Sequence, residues 1–283
     1  MKAALVVAGY GLREALRRRV FGVVIVLTSA FLFLFWLGTR FLFHHLAGVQ
    51  PPQGIDARTL VGATVLGLAM FATMFLGVVL AIFLTLGVVR GDAERGLLQP
   101  LVVRPVGRTT VLVARFLGAG AVCVPYVLVV YAASVVITRW NGSWTPDRVV
   151  TPGLELAAGV LVIAAISLFG SVFLTTIANG IAVFMVFGAG LVAGLLGQIG
   201  DALNSHTLER IATIIAWAAP FEALYQDALH GITADSSGLT RFALSLGPFG
   251  GAHVGGPLLP VWAAAFLLLA LGAAAAGFLR TDL

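Results

Sequence analysis

Charged residues are scarce in this chain of 283 residues: they make up 10% of it, while hydrophobic residues make up 60%. A typical globular domain has about 25% charged and about 45–50% apolar residues. This composition excludes a soluble domain, a disordered protein and a coiled-coil rod. The single cysteine, Cys123, excludes an internal disulfide and a cysteine-based zinc site. The composition is that of a chain that lies in a lipid bilayer.

Lysine is nearly absent, because Lys2 is the only lysine among 17 basic residues. A P-loop ATPase needs a lysine that reaches the β- and γ-phosphates, and a protein kinase needs one on a strand. A lysine at the second position of the chain supplies neither. We therefore predict that the chain is not an enzyme and binds no cofactor of its own. The net charge of +5 is sorted by membrane side, as described below, and does not indicate nucleic-acid binding.

Six predominantly apolar stretches are long enough to cross the hydrocarbon core, which takes about 20 residues of helix. We predict spans at residues 20–39, 59–89, 111–138, 156–176, 180–200 and 256–279, with an outer loop at 201–255. The polar residues 175–180 are the predicted turn between the fourth and fifth spans. The fold class is therefore an all-α polytopic membrane protein, with residues 1–283 as one domain and both termini on one side.

Basic residues are concentrated on one side of this predicted arrangement. The N-terminus, residues 90–115, the turn at Asn179 and the C-terminus carry 11 basic and 4 acidic residues, which leaves 17 − 11 = 6 basic and 12 − 4 = 8 acidic residues on the other side. Loops rich in arginine and lysine stay in the cytoplasm. Both termini are therefore predicted to be cytoplasmic.

The predicted spans contain no acidic or basic residue at mid-depth. Such residues are costly in a bilayer and usually mark ion-coupled transport. Their absence argues against a carrier driven by an ion gradient, so any transport needs energy from another subunit. All five histidines lie in the predicted outer loops, which argues against an intramembrane serine protease, and no metal site is predicted.

Two further features concern the fifth span and the outer loop. Gly190 and Gly194 form a Gly-x-x-x-Gly pair that serves either packing within the chain or a dimer face.

In the outer loop, residues 208–217 have helical spacing and Pro220 would end that helix. We expect loop helices that lie on the outer leaflet or dip into it, with Trp217, Phe221 and Tyr225 as interface anchors.

The stretch 90–108, between the second and third spans, mixes paired charges with leucines. The residues alone leave two interpretations open: a short interface helix with one apolar face, or a solvated basic loop that only fixes topology. The stretch resembles the signature of type-2 ABC transporter permeases. The matching residues are Glu94, Gly96, Leu98, Leu101, Arg104, Pro105, Val106 and Arg108, with Arg115 and Gly118 at the follow-on positions. Leu97, Gln99, Val103 and Gly107 depart from the family's pattern.

The resemblance covers nearly the whole chain and is greatest to the branch with nitrous-oxide-reductase maturation permeases. It implies a permease subunit of an ATP-driven ABC transporter, most simply an exporter of the bacterial inner membrane. Its partners would be a separate ATPase subunit, which binds ATP and Mg²⁺, a second permease copy or a paralogue, and the lipid bilayer, but no nucleic acid.

By the same resemblance, the stretch 90–108 forms a cytoplasmic coupling helix that contacts the ATPase. The residues at this contact would be Glu94, Gly96, Leu98, Leu101, Arg104, Pro105 and Arg108. An amphipathic N-terminal interface helix would lie nearby with Arg13, Glu14, Arg17 and Arg18. The alternative function is a membrane scaffold or maturation factor that transmits ATPase force to an outer partner without moving a solute.

Overall fold

The computed structural model describes residues 19–46, 56–86, 108–203, 205–237, 239–240 and 255–280. Regular secondary structure in these residues is entirely helical, which confirms the predicted fold class. In chain order the helices are α1 (Arg19–Leu46), α2 (Ala57–Thr85), α3 (Arg108–Gly142), α4 (Val150–Phe173), α5 (Thr176–Leu203), α6 (His206–Ala218), α7 (Phe221–Gly231) and α8 (Leu259–Arg280). Helices α1 to α5 and α8 are long and apolar enough to cross a membrane.

The fourth and fifth spans meet at a different point from the one predicted. Helix α4 ends at Phe173 and α5 begins at Thr176, so most of the predicted turn at 175–180 belongs to α5. The reason is that the Asn179 side chain is fully buried, and its Nδ2 donates to the Ser167 carbonyl oxygen at 2.9 Å. Because this bond to a neighbouring helix allows Asn179 to lie inside the bundle, residues 176–180 continue as helix α5.

Contacts between helix ends show that the spans alternate in direction. Where α2 ends and α5 begins, Leu86 packs against Gly180; where α4 and α8 both end, Phe173 packs against Gly277. We call residues 87–107, which connect α2 to α3, the elbow, and we call this end of the bundle the elbow end. At the opposite end, which we call the hairpin end, the Phe43 ring of α1 packs against Gly142 at the end of α3.

Helices α2 and α4 form the centre of the bundle. Their largest buried side chains include Leu66, Met70 and Met74 of α2 and Leu156 and Ile163 of α4. Glycine permits the close approach, because a Cβ at Gly77 would lie 2.9 Å from both Val127 and Val160. The outer helices α1, α5 and α8 leave large apolar side chains exposed, as expected for surfaces that face lipid or another subunit.

Between α5 and α8 the chain forms a helical hairpin from α6 and α7, which we call the inserted hairpin. Helix α6 has no fully buried residue over its described length, whereas α7 is buried along most of its length. The turn between them is at Ala219–Pro220, where Pro220 ends the helical run as predicted. Helix α7 packs against α4, α5 and α8, so this part of the outer loop is a component of the bundle.

The start of α7 at Phe221, which we call the hairpin tip, lies inside the bundle and not at the ends of the spans. The backbone of Phe221 lies 3.4 Å from the Cβ position of Gly159, which is nine residues into α4. At 1.5 Å per residue this is about 13 Å from the start of that helix. At its other end α7 returns to the hairpin end, where the Gly231 carbonyl accepts from the Arg148 amide at 3.2 Å.

Candidate functional site

The predicted coupling residues fall mainly outside the described part of the chain. Glu94, Gly96, Leu98, Leu101, Arg104 and Pro105 lie in 87–107, and Arg13, Glu14, Arg17 and Arg18 lie in 1–18. Arg108 is the first residue of α3. The coupling helix and the N-terminal interface helix therefore remain predictions. What the structure describes is how the helices are joined on either side of the elbow.

At the elbow end a cluster of neutral polar side chains joins three helices. We call Thr85, Ser167 and Asn179 the elbow-end cluster. The Thr85 and Ser167 hydroxyls are hydrogen-bonded at 2.7 Å between α2 and α4. Asn179 of α5 binds the Ser167 carbonyl, as described above, and all three side chains are buried. Because Thr85 is the last residue of α2, this cluster ties the start of the elbow to α4 and α5.

A second packed core lies beside this cluster at the elbow end. Its buried members come from the start of α3, the end of α4 and the end of α8: Leu112, Leu168, Val172, Ala274 and Phe278. The first turns of α3, which follow the elbow, are therefore held against α4 and α8. Both ends of the elbow are thus attached to the bundle through buried contacts.

Gly190 and Gly194 face the inserted hairpin in this structure. A Cβ at Gly190 would overlap the Phe221 ring, and a Cβ at Gly194 would overlap the Glu222 carboxylate. The two glycines therefore provide the surface of α5 on which the hairpin tip rests, which is packing within the chain. Phe221 is completely buried, and its ring lies 5.6 Å from that of Phe187.

Phe221 and Tyr225 do not serve as interface anchors, and that prediction is wrong. Both belong to the core, with Phe221 fully buried and Tyr225 4% exposed. Their spacing places them on the face of α7 that packs into the bundle. Trp217, on α6, keeps 49% of its surface exposed, as an interface residue would.

The hairpin brings a carboxylate, Glu222, into the bundle. Its side chain is 2% exposed, and Oε1 accepts a hydrogen bond from Gln226 Nε2 at 2.8 Å, one turn along α7. Oε2 and the Gln226 amide oxygen have no hydrogen-bond partner among the described residues. Burial raises the pKa of Glu222 to about 7, although the bond from Gln226 acts in the opposite direction. Burial, and then the nearby Glu222 charge, raise the pKa of Tyr225 as well.

Sequence reasoning missed Glu222 because it searched only the apolar spans for buried charge. The signal was present in the loop, where Phe221, Leu224, Tyr225, Ala228 and Leu229 repeat with helical spacing. Glu222 and Gln226 stand four residues apart beside this stripe and so meet on one helix face. The apolar stripe along residues 221–229 would have indicated that the helix after Pro220 is buried in the bundle.

The histidines are separated in the described structure. His44 and His45 end α1, and His206 at the start of α6 lies 3.4 Å from Glu209. Within the described ranges, no group of three or more histidine, cysteine or acidic side chains is arranged to hold a metal ion.

Comparison with known families gives a result for almost the whole chain. The family model described as "ABC-2 family transporter protein" matches residues 5–283. A search of curated proteins finds no match to the chain. The match spans all six candidate membrane helices, the elbow and the inserted hairpin. The chain belongs to the ABC-2 family and is a multi-pass membrane permease of the ABC transporter type.

Proposed function

We propose that the chain is the permease subunit of an ATP-driven exporter and is moved by a separate ATPase subunit that binds the elbow between α2 and α3. The observation that carries this proposal is the family signature at 94–108, within a chain that belongs to the ABC-2 family. Two permease chains, identical or paralogous, and two ATPase subunits would form the working assembly.

The energy source follows from what the sequence lacks. Lys2 is the only lysine, so the chain has no lysine with which to build a P-loop of its own. ATP and Mg²⁺ would be bound by the partner, and the permease would respond mechanically. The anchoring of the elbow supports this role, because a bistable, packed bundle turns small shifts at one site into helix movements elsewhere.

The helices around the elbow give such a shift a defined route. A force on residues 87–107 acts on Thr85 and Leu86 at the end of α2. The Thr85–Ser167 and Asn179–Ser167 hydrogen bonds pass that displacement to α4 and α5. Helix α5 in turn carries Gly190 and Gly194, against which the hairpin tip packs. The proposed route therefore runs from the elbow to the inserted hairpin through α5.

The orientation is part of the proposal. Eleven basic against four acidic residues on the side of the elbow support a cytoplasmic location for the elbow and both termini. The inserted hairpin would then open toward the outside of a bacterial inner membrane. Placement in the branch with nitrous-oxide-reductase maturation permeases stays a prediction, and no feature of the described residues favours the scaffold alternative.

Two substitutions in the elbow test the coupling. Leu98→Asp places a charge where an apolar anchor is expected, and Arg104→Glu reverses a charge that is expected to set the register. The chain is co-expressed with a P-loop ATPase from the same source, and ATPase co-purification and ATP-dependent export are measured. We expect both variants to insert normally and to lose most of both signals.

Arg139→Glu is the matched control, since it reverses a charge at the opposite end of α3. It should leave ATPase co-purification unchanged. Normal co-purification and normal export in both elbow variants would show that the ATPase does not bind through this segment.

A further inference from the structure

A cavity of about 430 Å³ lies between α5, the inserted hairpin and the start of α8. We call it the hairpin cavity. Its size falls within the range of pockets that bind small organic molecules, about 300–1,000 Å³. It is lined by Ala193, Gly194 and Gly197 of α5, Glu209, Ala212, Thr213, Ala216 and Trp217 of α6, Glu222, Ala223 and Gln226 of α7, and Gly255, Leu259 and Trp262 before and on α8.

The polar groups in the wall of the hairpin cavity are mostly hydrogen-bond acceptors. Glu222 and Gln226 each have a buried oxygen without a donor among the described residues. Leaving a buried acceptor unpaired costs about 1–3 kcal/mol, and more when the group is charged. An occupant that brings a donor or a positive charge would remove this cost.

The rim of the cavity carries further negative charge. Glu209 of α6 has a side chain that is 36% exposed, and its carboxylate lies 3.4 Å from the exposed His206. None of the lining residues, all of which are described, is an arginine or a lysine. Two carboxylates without a basic neighbour in the lining select against an anionic occupant.

Two tryptophans form an aromatic wall in the same cavity. The rings of Trp217 and Trp262 lie 5.9 Å apart, and Trp262 Nε1 donates to the Trp217 carbonyl oxygen at 3.0 Å. This bond connects α8 to α6 and fixes the Trp262 ring. Tryptophan faces attract organic cations, by about 0.5–2 kcal/mol depending on how far the cation is desolvated. The remaining lining is alanine, glycine, leucine and Thr213, whose hydroxyl donates to the Glu209 carbonyl oxygen at 2.8 Å, and this surface suits an apolar body.

We propose that the hairpin cavity binds an amphipathic organic cation, with the charge at Glu222 and the apolar body against Trp217 and Trp262. The chemistry follows from the wall: acceptors and negative charge at one place, aromatic and aliphatic surface around it. The further conclusion that such cations are the cargo of the exporter rests on the proposed function. The proposal of the binding site does not depend on that function.

Binding to the purified full-length permease, without any ATPase, tests the site. The probes are tetraphenylphosphonium and tetraphenylborate, which share a shape and carry opposite charges. Their affinities are measured by equilibrium dialysis in detergent. We expect the cation to bind and the borate to bind at least about tenfold more weakly. Glu222→Gln should lower cation affinity about tenfold or more, because it removes the charge and keeps the shape.

Glu155→Gln is the matched control, because Glu155 also has a buried, unpartnered carboxylate oxygen but does not line the cavity. Its cation affinity should equal that of the original chain. If Glu222→Gln fails to fold, Trp262→Leu replaces it, with a severalfold loss of cation affinity and unchanged borate binding expected.

Equal binding of the two ions, or equal losses in the Glu222 and Glu155 variants, would overturn the proposal. So would unchanged affinity in Glu222→Gln. These outcomes are separate from the coupling test, since they need no ATPase. Failure here leaves the elbow contact standing, and failure of the elbow contact leaves the binding site standing.

Discussion

The elbow end of the bundle and the start of α7 bury polar side chains in different ways. At the elbow end, Thr85, Ser167 and Asn179 are neutral and bind one another across three helices. At the start of α7, inside the bundle, Glu222 is acidic, and among the described residues its hydrogen bond comes from Gln226 on the same helix. Within the described part of the chain, the first arrangement joins helices and leaves a neutral amide oxygen, Asn179 Oδ1, without a partner, whereas the second leaves part of a carboxylate unpaired beside a cavity.

This difference separates a structural role from a binding role. Hydrogen bonds between membrane helices contribute about 0.6 kcal/mol each and hold helices in fixed relation. A buried and partly unpaired carboxylate lowers stability instead. Glu222 therefore contributes little to the stability of the fold. This supports the proposal that it binds a ligand. The elbow-end cluster is suited to carrying movement between helices.

The largest expected effect comes from filling the contact between α5 and the inserted hairpin. Gly190→Leu would drive a side chain into the Phe221 ring, which is completely buried. We expect the free energy of unfolding to fall by about 3 kcal/mol, which is at the upper end of the cost of overpacking a core. The measurement is thermal unfolding of the purified protein in detergent.

Gly188→Leu is the control for this substitution, because a Cβ at Gly188 meets no atom within 4 Å. Its Tm should be close to that of the original chain. Equal losses in the two variants would mean that the hairpin tip does not rest on α5 at Gly190.

A smaller effect is expected from pH and isolates Glu222. Its pKa is raised from 4.5 to about 7 in the folded chain, so between these values the folded state holds a proton that the unfolded state releases. Stability should therefore fall as pH rises through this window and level off above about pH 7. Glu222→Gln should remove that part of the slope in Tm against pH.

Other titratable groups near the cavity must be considered in this experiment. Among the described residues, Glu209 of α6 lines the cavity, Tyr225 of α7 interacts with Glu222, and Asp227 of α7 accepts a hydrogen bond from the lining residue Gly255. The described lining residues of α5 and α8 carry no titratable group. Cation binding should follow the opposite trend to stability, since it needs the ionised carboxylate. An unchanged Tm slope in Glu222→Gln would show that Glu222 does not titrate in this range.

The smallest effect is expected at the elbow end. Thr85→Val removes the hydroxyl that meets Ser167 and should lower stability by about 0.6 kcal/mol, or a degree or two in Tm. Thr64→Val is the control on the same helix, because the Thr64 hydroxyl binds only the Leu60 carbonyl of its own helix in the contacts described. A Tm loss in Thr64→Val as large as in Thr85→Val would show that the Thr85–Ser167 bond between helices adds nothing to stability.

The sequence predicted the all-α fold with six membrane-spanning helices, because the length and apolarity of a segment largely determine whether it can cross a bilayer. It also predicted the break at Pro220, which is a local property of proline. It misplaced the turn at 175–180, where Asn179 is buried and donates a hydrogen bond to the carbonyl of a residue twelve positions earlier, in α4. It also assigned Phe221 and Tyr225 to the interface, because apolar anchors and core residues have the same composition in a short loop helix.

Composition and hydropathy therefore determined, without any coordinates, that this is an all-α polytopic membrane protein, and the sequence has Lys2 as its only lysine. Only the tertiary structure decided that α7 packs against α4 and α5 and carries Glu222 into the bundle. The physical reason is that membrane insertion depends on the apolarity of a single segment. A cavity instead requires side chains from α5, α6, α7 and α8, which are separated in the sequence, to meet.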